Sequence, residues 1–271
     1  MEGKTDMKRL LNIALDNAVA LGVVVIVLFL IIPLPTFLLD FLLIVNIGLA
    51  IMILMITMNI SEALEFSIFP SLLLVTTLFR LGLNVSSTRM ILRDGYAGEV
   101  IQNFGQLITG GNIVIGVVIF LIIVLVQFIV ITKGAERVAE VAARFTLDAM
   151  PGKQMAIDAD LSSGLINEQE ARARRQKIQK EADFYGAMDG ATKIVKGDAV
   201  MSIVITLINF VGGVIIGMVM GGGDFATVLQ TYSIVTIGDG LVSQLPALMI
   251  STATGMVVTR SVSEGSLNRD V

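Results

Sequence analysis

The chain has no cysteine and no histidine. Without cysteine there is no disulfide framework, no zinc thiolate site and no thiol nucleophile. Without histidine it lacks the usual general base, the commonest metal ligand and the side chain that titrates near neutrality. Charge is scarce as well: 15% of residues are charged and 55% hydrophobic, with a mean hydropathy of +0.85, whereas a soluble domain carries about 25% charge. One aqueous core cannot hide that much apolar surface, so the composition requires a membrane. No nucleophile, base and orienting group converge in the text, which argues against an enzyme and gives no reason to expect a cofactor, a metal or a nucleic-acid partner.

What is present is a series of apolar runs. Residues 18–32 form the first, which stops at Pro33-Leu34-Pro35, where proline disfavours continued helix. Residues 37–58 are long enough to cross a bilayer, which takes about 20 residues, and the two runs together read as a helical hairpin. A third, 64–83, contains Pro70 and Arg80 and is expected to be kinked or partly interfacial. Residues 84–111 mix Arg, Asp, Asn and Gly and read as an external or re-entrant connection. Residues 112–131 form a fourth span with Gln127 at its centre, 199–220 a fifth, and 225–259 a sixth region that Gly238-Asp239-Gly240 and Pro246 interrupt. The expected fold is an all-α polytopic membrane protein of about six segments, with a small helical cytosolic insertion between the fourth and fifth. The expected divisions are 1–132, 133–198, 199–260 and a polar tail at 261–271.

The insertion holds eleven of the nineteen Lys and Arg residues and eleven of the twenty-three Asp and Glu. Its segment EQEARARRQKIQKEAD (168–183) reads as a charged helix with opposite-sign neighbours three and four apart. Lys4, Lys8 and Arg9 precede the first run and Arg260 and Arg269 follow the last, so the positive-inside rule puts both ends and the insertion in the cytosol. Arg89 and Arg93 depart from that pattern. No cleavable signal follows the first run.

Charges in or beside apolar runs carry the functional reading, because ionisable groups in a bilayer cost a few kcal/mol and mark ion paths. Asp16 and Asp40 lie near the starts of the first two runs, Arg80 and Arg89 near the end of the third, Lys193 and Asp198 before the fifth, and Asp239 within the sixth. Local readings compete: Asp40 and Asp198 as helix caps, Arg80 and Lys193 as side chains snorkelling to headgroups, Asp239 in a surface loop. The sharper expectation is an ion-responsive site of Asp198 and Asp239, with Arg89 and Lys193 as charge partners and Asp40 as a further candidate. Gly213, Gly217 and Gly221 recur every four residues, a stripe that lets helices approach within or between chains. Two other patterns fail. Met150-Pro151-Gly152-Lys153 has Leu147 where a phosphate loop needs glycine, and the Asp158-to-Ser162 turn has Gly164 misplaced and Gln169 in place of the closing Glu of a calcium loop.

The block RVAEVAARFTLDAMPGKQMAIDAD (137–160) resembles the signature of the FHIPEP family of flagellar and injectisome export-gate proteins. LFRLGLNVSSTR (78–89), YGAMDGATKIVKGDA (185–199) and TIGDGLVSQLPALMIST (236–252) are similar to its membrane-domain motifs, and EADFYG (181–186) leans toward the flagellar branch. The resemblance implies a bacterial inner-membrane subunit of a type III protein export gate, coupling ion flow to export of unfolded proteins. It also implies a nonameric homo-oligomeric ring beside other gate subunits. Arg144, Asp148, Lys153, Asp158 and Asp160 are then expected to make contacts between subunits. The family continues beyond such a region with a large cytosolic domain, so the chain is expected to be part of a longer protein. A passive structural ring is the alternative, and a small-solute transporter using unwound backbone at 238–240 a weaker one.

Overall fold

Proline and glycine fix where the first helices begin and end. The computed structural model describes residues 17–110, 112–129, 136–220 and 224–259. Lys4, Lys8, Arg9, Asp16, Gly221, Arg260 and Arg269 lie outside the described residues, as does the side chain of Gln127. Helix α1 (Ala18–Ile31) stops before Pro33, and α2 (Thr36–Asn59) starts from Pro35, whose extended backbone (φ −67°, ψ 150°) caps it. The two do not form the expected hairpin; α1 packs on α3 (Phe69–Asp94), where Gly82 lets the Ile26 carbonyl approach. Pro70 sits in the first turn of α3, where its missing N–H costs nothing, so it starts the helix instead of kinking it.

Helix α3 then runs unbroken into the stretch expected to be a connection, taking up residues 84–94 of it, and ends at Gly95. Its 26 residues extend about 39 Å at 1.5 Å each, more than the hydrocarbon core of a bilayer. Only after it comes a bent pair: α4 (Glu99–Thr109) and α5 (Ile113–Ile129), turned by 104°. Asn112 caps α5 by accepting from the Val114 and Ile115 amides at 3.0 and 3.3 Å.

The insertion is a hairpin of α6 (Glu136–Ser162) and the start of α7 (Glu168–Met220). Asn167 and Glu170 close a capping box at the start of α7: the Asn167 side chain accepts from the Glu170 amide at 2.8 Å, and Glu170 accepts from the Asn167 amide at 3.1 Å. Ile157, Ile166 and Ala171 form the small core beneath the turn. Helix α7 has 53 residues and passes the expected boundary at 198/199 without a break, so the charged helix and the fifth span are one rod. Helix α8 (Phe225–Thr259) is likewise continuous through Gly238-Asp239-Gly240 and Pro246, against the expected interruption. Local propensity favours a break there; tertiary packing on both glycines overrides it, as described below.

The described residues are helical with no strand. Four helices (α2, α3, α7 and α8) are long and apolar enough to cross a membrane, five if the bent pair counts as one span, and α1 is a shorter apolar helix. Polarity is inverted relative to a water-soluble bundle. On α2 the outer face shows Phe37, Phe41, Ile44 and Met55, while Asn46 and Thr57 are buried. On α3, Thr76, Thr77, Arg80, Asn84, Ser86 and Ser87 all point inward. A surface of this kind is solvated by lipid, and the polar groups it encloses must find partners inside.

Candidate functional site

Arg80, Asn84 and Ser87 are spaced four and three residues apart on α3, which puts them on one face. That face meets α7 and α8, forming a polar seam through the bundle. Arg80 donates to Asp198 of α7 in a buried ion pair, the two side chains being 3% and 2% exposed. Ser243 of α8 donates to the Asn84 side chain at 2.6 Å. Further along the bundle, Asn209 of α7 donates to Asp239 of α8 at 2.9 Å, with Ser87 close by, its hydroxyl donating to the Asn84 carbonyl at 3.0 Å. Seven residues separate Arg80 from Ser87 and eleven separate Asp198 from Asn209, so at the helical rise the two carboxylates lie about 10–16 Å apart along the bundle.

The seam is incompletely satisfied. Arg80 Nη1, Asp198 Oδ1, Asn209 Oδ1, Thr236 Oγ1 and Gln244 Oε1 are buried and have no hydrogen-bond partner among the described residues. Buried polar atoms are almost always paired, and exceptions mark places that strain or work. Chemically the seam offers two carboxylates, one salt-bridged and one bonded to a neutral amide, with unpaired oxygens nearby.

The expected charge partners sit elsewhere. Arg89 donates to the Leu30 and Ile31 carbonyls at 3.0 Å each, closing the end of α1. Lys193 pairs with Asp189 one turn back on the exposed face of α7 at 2.7 Å. The partner of Asp198 is Arg80, which is buried instead of snorkelling, and Asp198 lies well inside α7, so it is no cap. Asp40 is a cap, but of another helix: its carboxylate accepts from the Glu99 and Val100 amides at 2.9 and 3.0 Å and so pins the start of α4. Gly98 makes this possible, with φ at +107° and a position where any Cβ would fall on the Asp40 carboxylate.

In the insertion, three of the expected subunit contacts are engaged within the chain. Asp158 pairs with Arg175, Asp160 with Arg174 at 3.2 Å and Lys153 with Glu181 at 3.0 Å, all across the α6–α7 hairpin. Arg144 and Asp148 face each other along α6 at 3.9 Å and stay highly exposed. Of the glycine stripe, Gly213 and Gly217 form a notch that receives the Tyr232 ring of α8, so both serve packing within the chain.

The family model for FHIPEP, described as the FHIPEP family, matches residues 26–271. The chain belongs to the FHIPEP family. Over 256 residues it is 60% identical to the flagellar biosynthesis protein FlhA of Bacillus subtilis, a match covering 94% of this chain and 38% of that protein. Identity to the FlhA protein of Caulobacter vibrioides is 57% over 259 residues, 94% of this chain and 37% of that one. The low calcium response locus protein D of Yersinia pestis is 53% identical over 251 residues, 93% of this chain and 36% of that one. The chain thus spans a little over a third of the length of these relatives. No solved structure matches it.

Several parts of this FHIPEP site escaped the sequence reading. Asn84, Ser87, Asn209 and Ser243 gave a signal, since polar residues at helical spacing inside apolar runs mark an inward face. Gly98, Gly105, where a Cβ would overlap the Ile234 carbonyl, and Phe120, whose ring lies on Gly240, gave none, because each matters only through a neighbour distant in sequence.

Proposed function

We propose that the chain is the membrane part of a type III protein export-gate subunit in the bacterial inner membrane, on the flagellar side of the family. In this reading it couples ion movement to the export of unfolded proteins. It assembles as a homo-oligomeric ring beside other gate subunits, with the insertion in the cytosol. The family supports export, and the higher identity to FlhA proteins than to the Yersinia relative supports the flagellar branch. Arg144 and Asp148, exposed on α6, are the insertion charges best placed to meet a neighbouring subunit.

The observation that carries the coupling is the Arg80–Asp198 and Asp239 seam enclosed within a lipid-facing bundle. Ion coupling needs a carboxylate able to exchange partners. Asp198 holds Arg80 with one oxygen and leaves the other unpaired, and Asp239 accepts its recorded hydrogen bond from the neutral Asn209 amide. Small-solute transport loses its support, since it relied on unwound backbone where α8 is continuous.

Asp198→Asn and Asp239→Asn, introduced singly into the full-length protein, are expected to lower both substrate export and ion leak by about tenfold or more, with normal insertion. Unimpaired export and leak in both variants would remove the two residues from the mechanism. A passive ring expects ion leak to persist while assembly or export fails.

A further inference from the structure

Asp239 is closed in by more than its hydrogen bonds. The glycine before it lies against α4 so tightly that a Cβ at 238 would overlap the Ile101 carbonyl and sit 2.9 Å from the Gly105 amide. The glycine after it lies under the Phe120 ring of α5, where a Cβ at 240 would be 2.6 and 2.7 Å from ring carbons. On the far side stand Asn209 of α7 and Ser87 of α3. Both helices of the bent pair therefore press on the backbone that carries this carboxylate.

Helix α5 turns its opposite face outward. Val114, Val118, Leu121, Ile122 and Leu125 are more than half exposed, whereas the Phe120 ring is 7% exposed and packs with Ile237 and Leu241. Beside that ring, among the described side chains, only Val117, Ile123 and Val124 of α5 pack inward, each partly buried, so α5 is held by one narrow stripe and moves more easily than a helix interlocked on several faces. Its partner α4 is fixed at one end by the Asp40 carboxylate, and the joint between the two is bent by 104° beside Gly110 in a left-handed conformation.

We infer that the bent pair α4–α5 is a movable cover over Asp239, with Phe120 as its closing side chain and Asp40 as its pin. Water or an ion approaching from the α5 side reaches the carboxylate only when the ring leaves Gly240. This rests on Asp239 being a working carboxylate, but its test reads access and not transport.

Because the chain has no cysteine, Asp239→Cys in the full-length protein introduces a single thiol within this chain, whose reaction with N-ethylmaleimide in native membranes is followed by mass spectrometry. Labelling is expected to be slow with Phe120 in place and at least about tenfold faster with Phe120→Ala, since removing a buried ring opens its site. Phe120→Leu should stay near the parent rate, and Asp40→Ala should speed labelling without touching the ring. Ser251→Cys, buried further along α8, should remain slow in every background. Modification of the native Asp239 carboxylate by dicyclohexylcarbodiimide gives the same comparison without a substitution at 239. An unchanged rate at 239 with Phe120→Ala, or a parallel rise at 251, would overturn the cover. If Asp239→Asn leaves export and leak intact while Phe120→Ala still exposes position 239, the cover stands and the coupling reading falls.

Discussion

Arg80→Met is expected to destabilise the folded bundle by about 3–5 kcal/mol, because it strands the Asp198 charge in an almost fully buried site. The pair is almost completely buried and joins α3 to α7 across 118 residues of sequence. Its net value over an uncharged pair is small, since desolvation offsets most of the attraction between the two charges. Removing both charges, Arg80→Met with Asp198→Asn, should therefore recover most of the loss. Midpoints of detergent-to-SDS unfolding of the purified protein measure both. Equal destabilisation by the single and double substitutions would mean that the two side chains do not interact.

Gly238→Ala should be among the most damaging substitutions of the described glycines, costing about 1–3 kcal/mol or more as overpacking does. Its Cβ would meet the Ile101 carbonyl and the Gly105 amide. Both are backbone atoms of α4, so no side chain can swing aside, and α4 must part from α8. Gly190→Ala and Gly197→Ala offer the contrast, since nothing lies within 4 Å of a Cβ at either exposed helical position. There alanine should be neutral or stabilise by up to about 1 kcal/mol through helix propensity. The same unfolding assay reads all three, and a tolerated Gly238→Ala would show that α4 does not sit on α8 as described.

These contacts explain which parts of the molecule were legible in the text. Hydropathy located α2, the second part of α7 and α8. It placed the third run at 64–83, where the helix is Phe69–Asp94, and it read 112–131 as a span of its own, where α5 has 17 residues and reaches crossing length only with α4. Pro33 and Pro35 located the break between α1 and α2. Opposite charges at helical spacing located the arm that becomes the start of α7. Signals that act through a distant partner were misread. Gly238-Asp239-Gly240 carries the local mark of a loop, yet it lies inside a helix, where the missing side chains admit α4 on one side and Phe120 on another. Pro70 carries the mark of a kink and in fact opens α3. Arg80, considered alone near the end of an apolar run, suggests a headgroup contact; only the fold brings Asp198 to it. Asp40 has the residue type of a cap, but nothing in its own segment says that the helix it caps begins 59 residues later. The polar periodicity of Arg80, Asn84 and Ser87 was the one readable sign that α3 turns its polar face inward.

The account depends on a bundle that shows lipid its apolar residues and keeps its charges inside. A single-cysteine scan of α2 and α3 in native membranes, comparing a lipid-soluble with a membrane-impermeant maleimide, tests this most directly. Phe37, Phe41 and Ile44 should react with the lipid-soluble reagent, whereas Leu39, Leu43, Asn46, Asn84 and Ser87 should be protected from both. Ready reaction of positions 84 and 87 with the impermeant reagent would place the seam in bulk water and contradict the account.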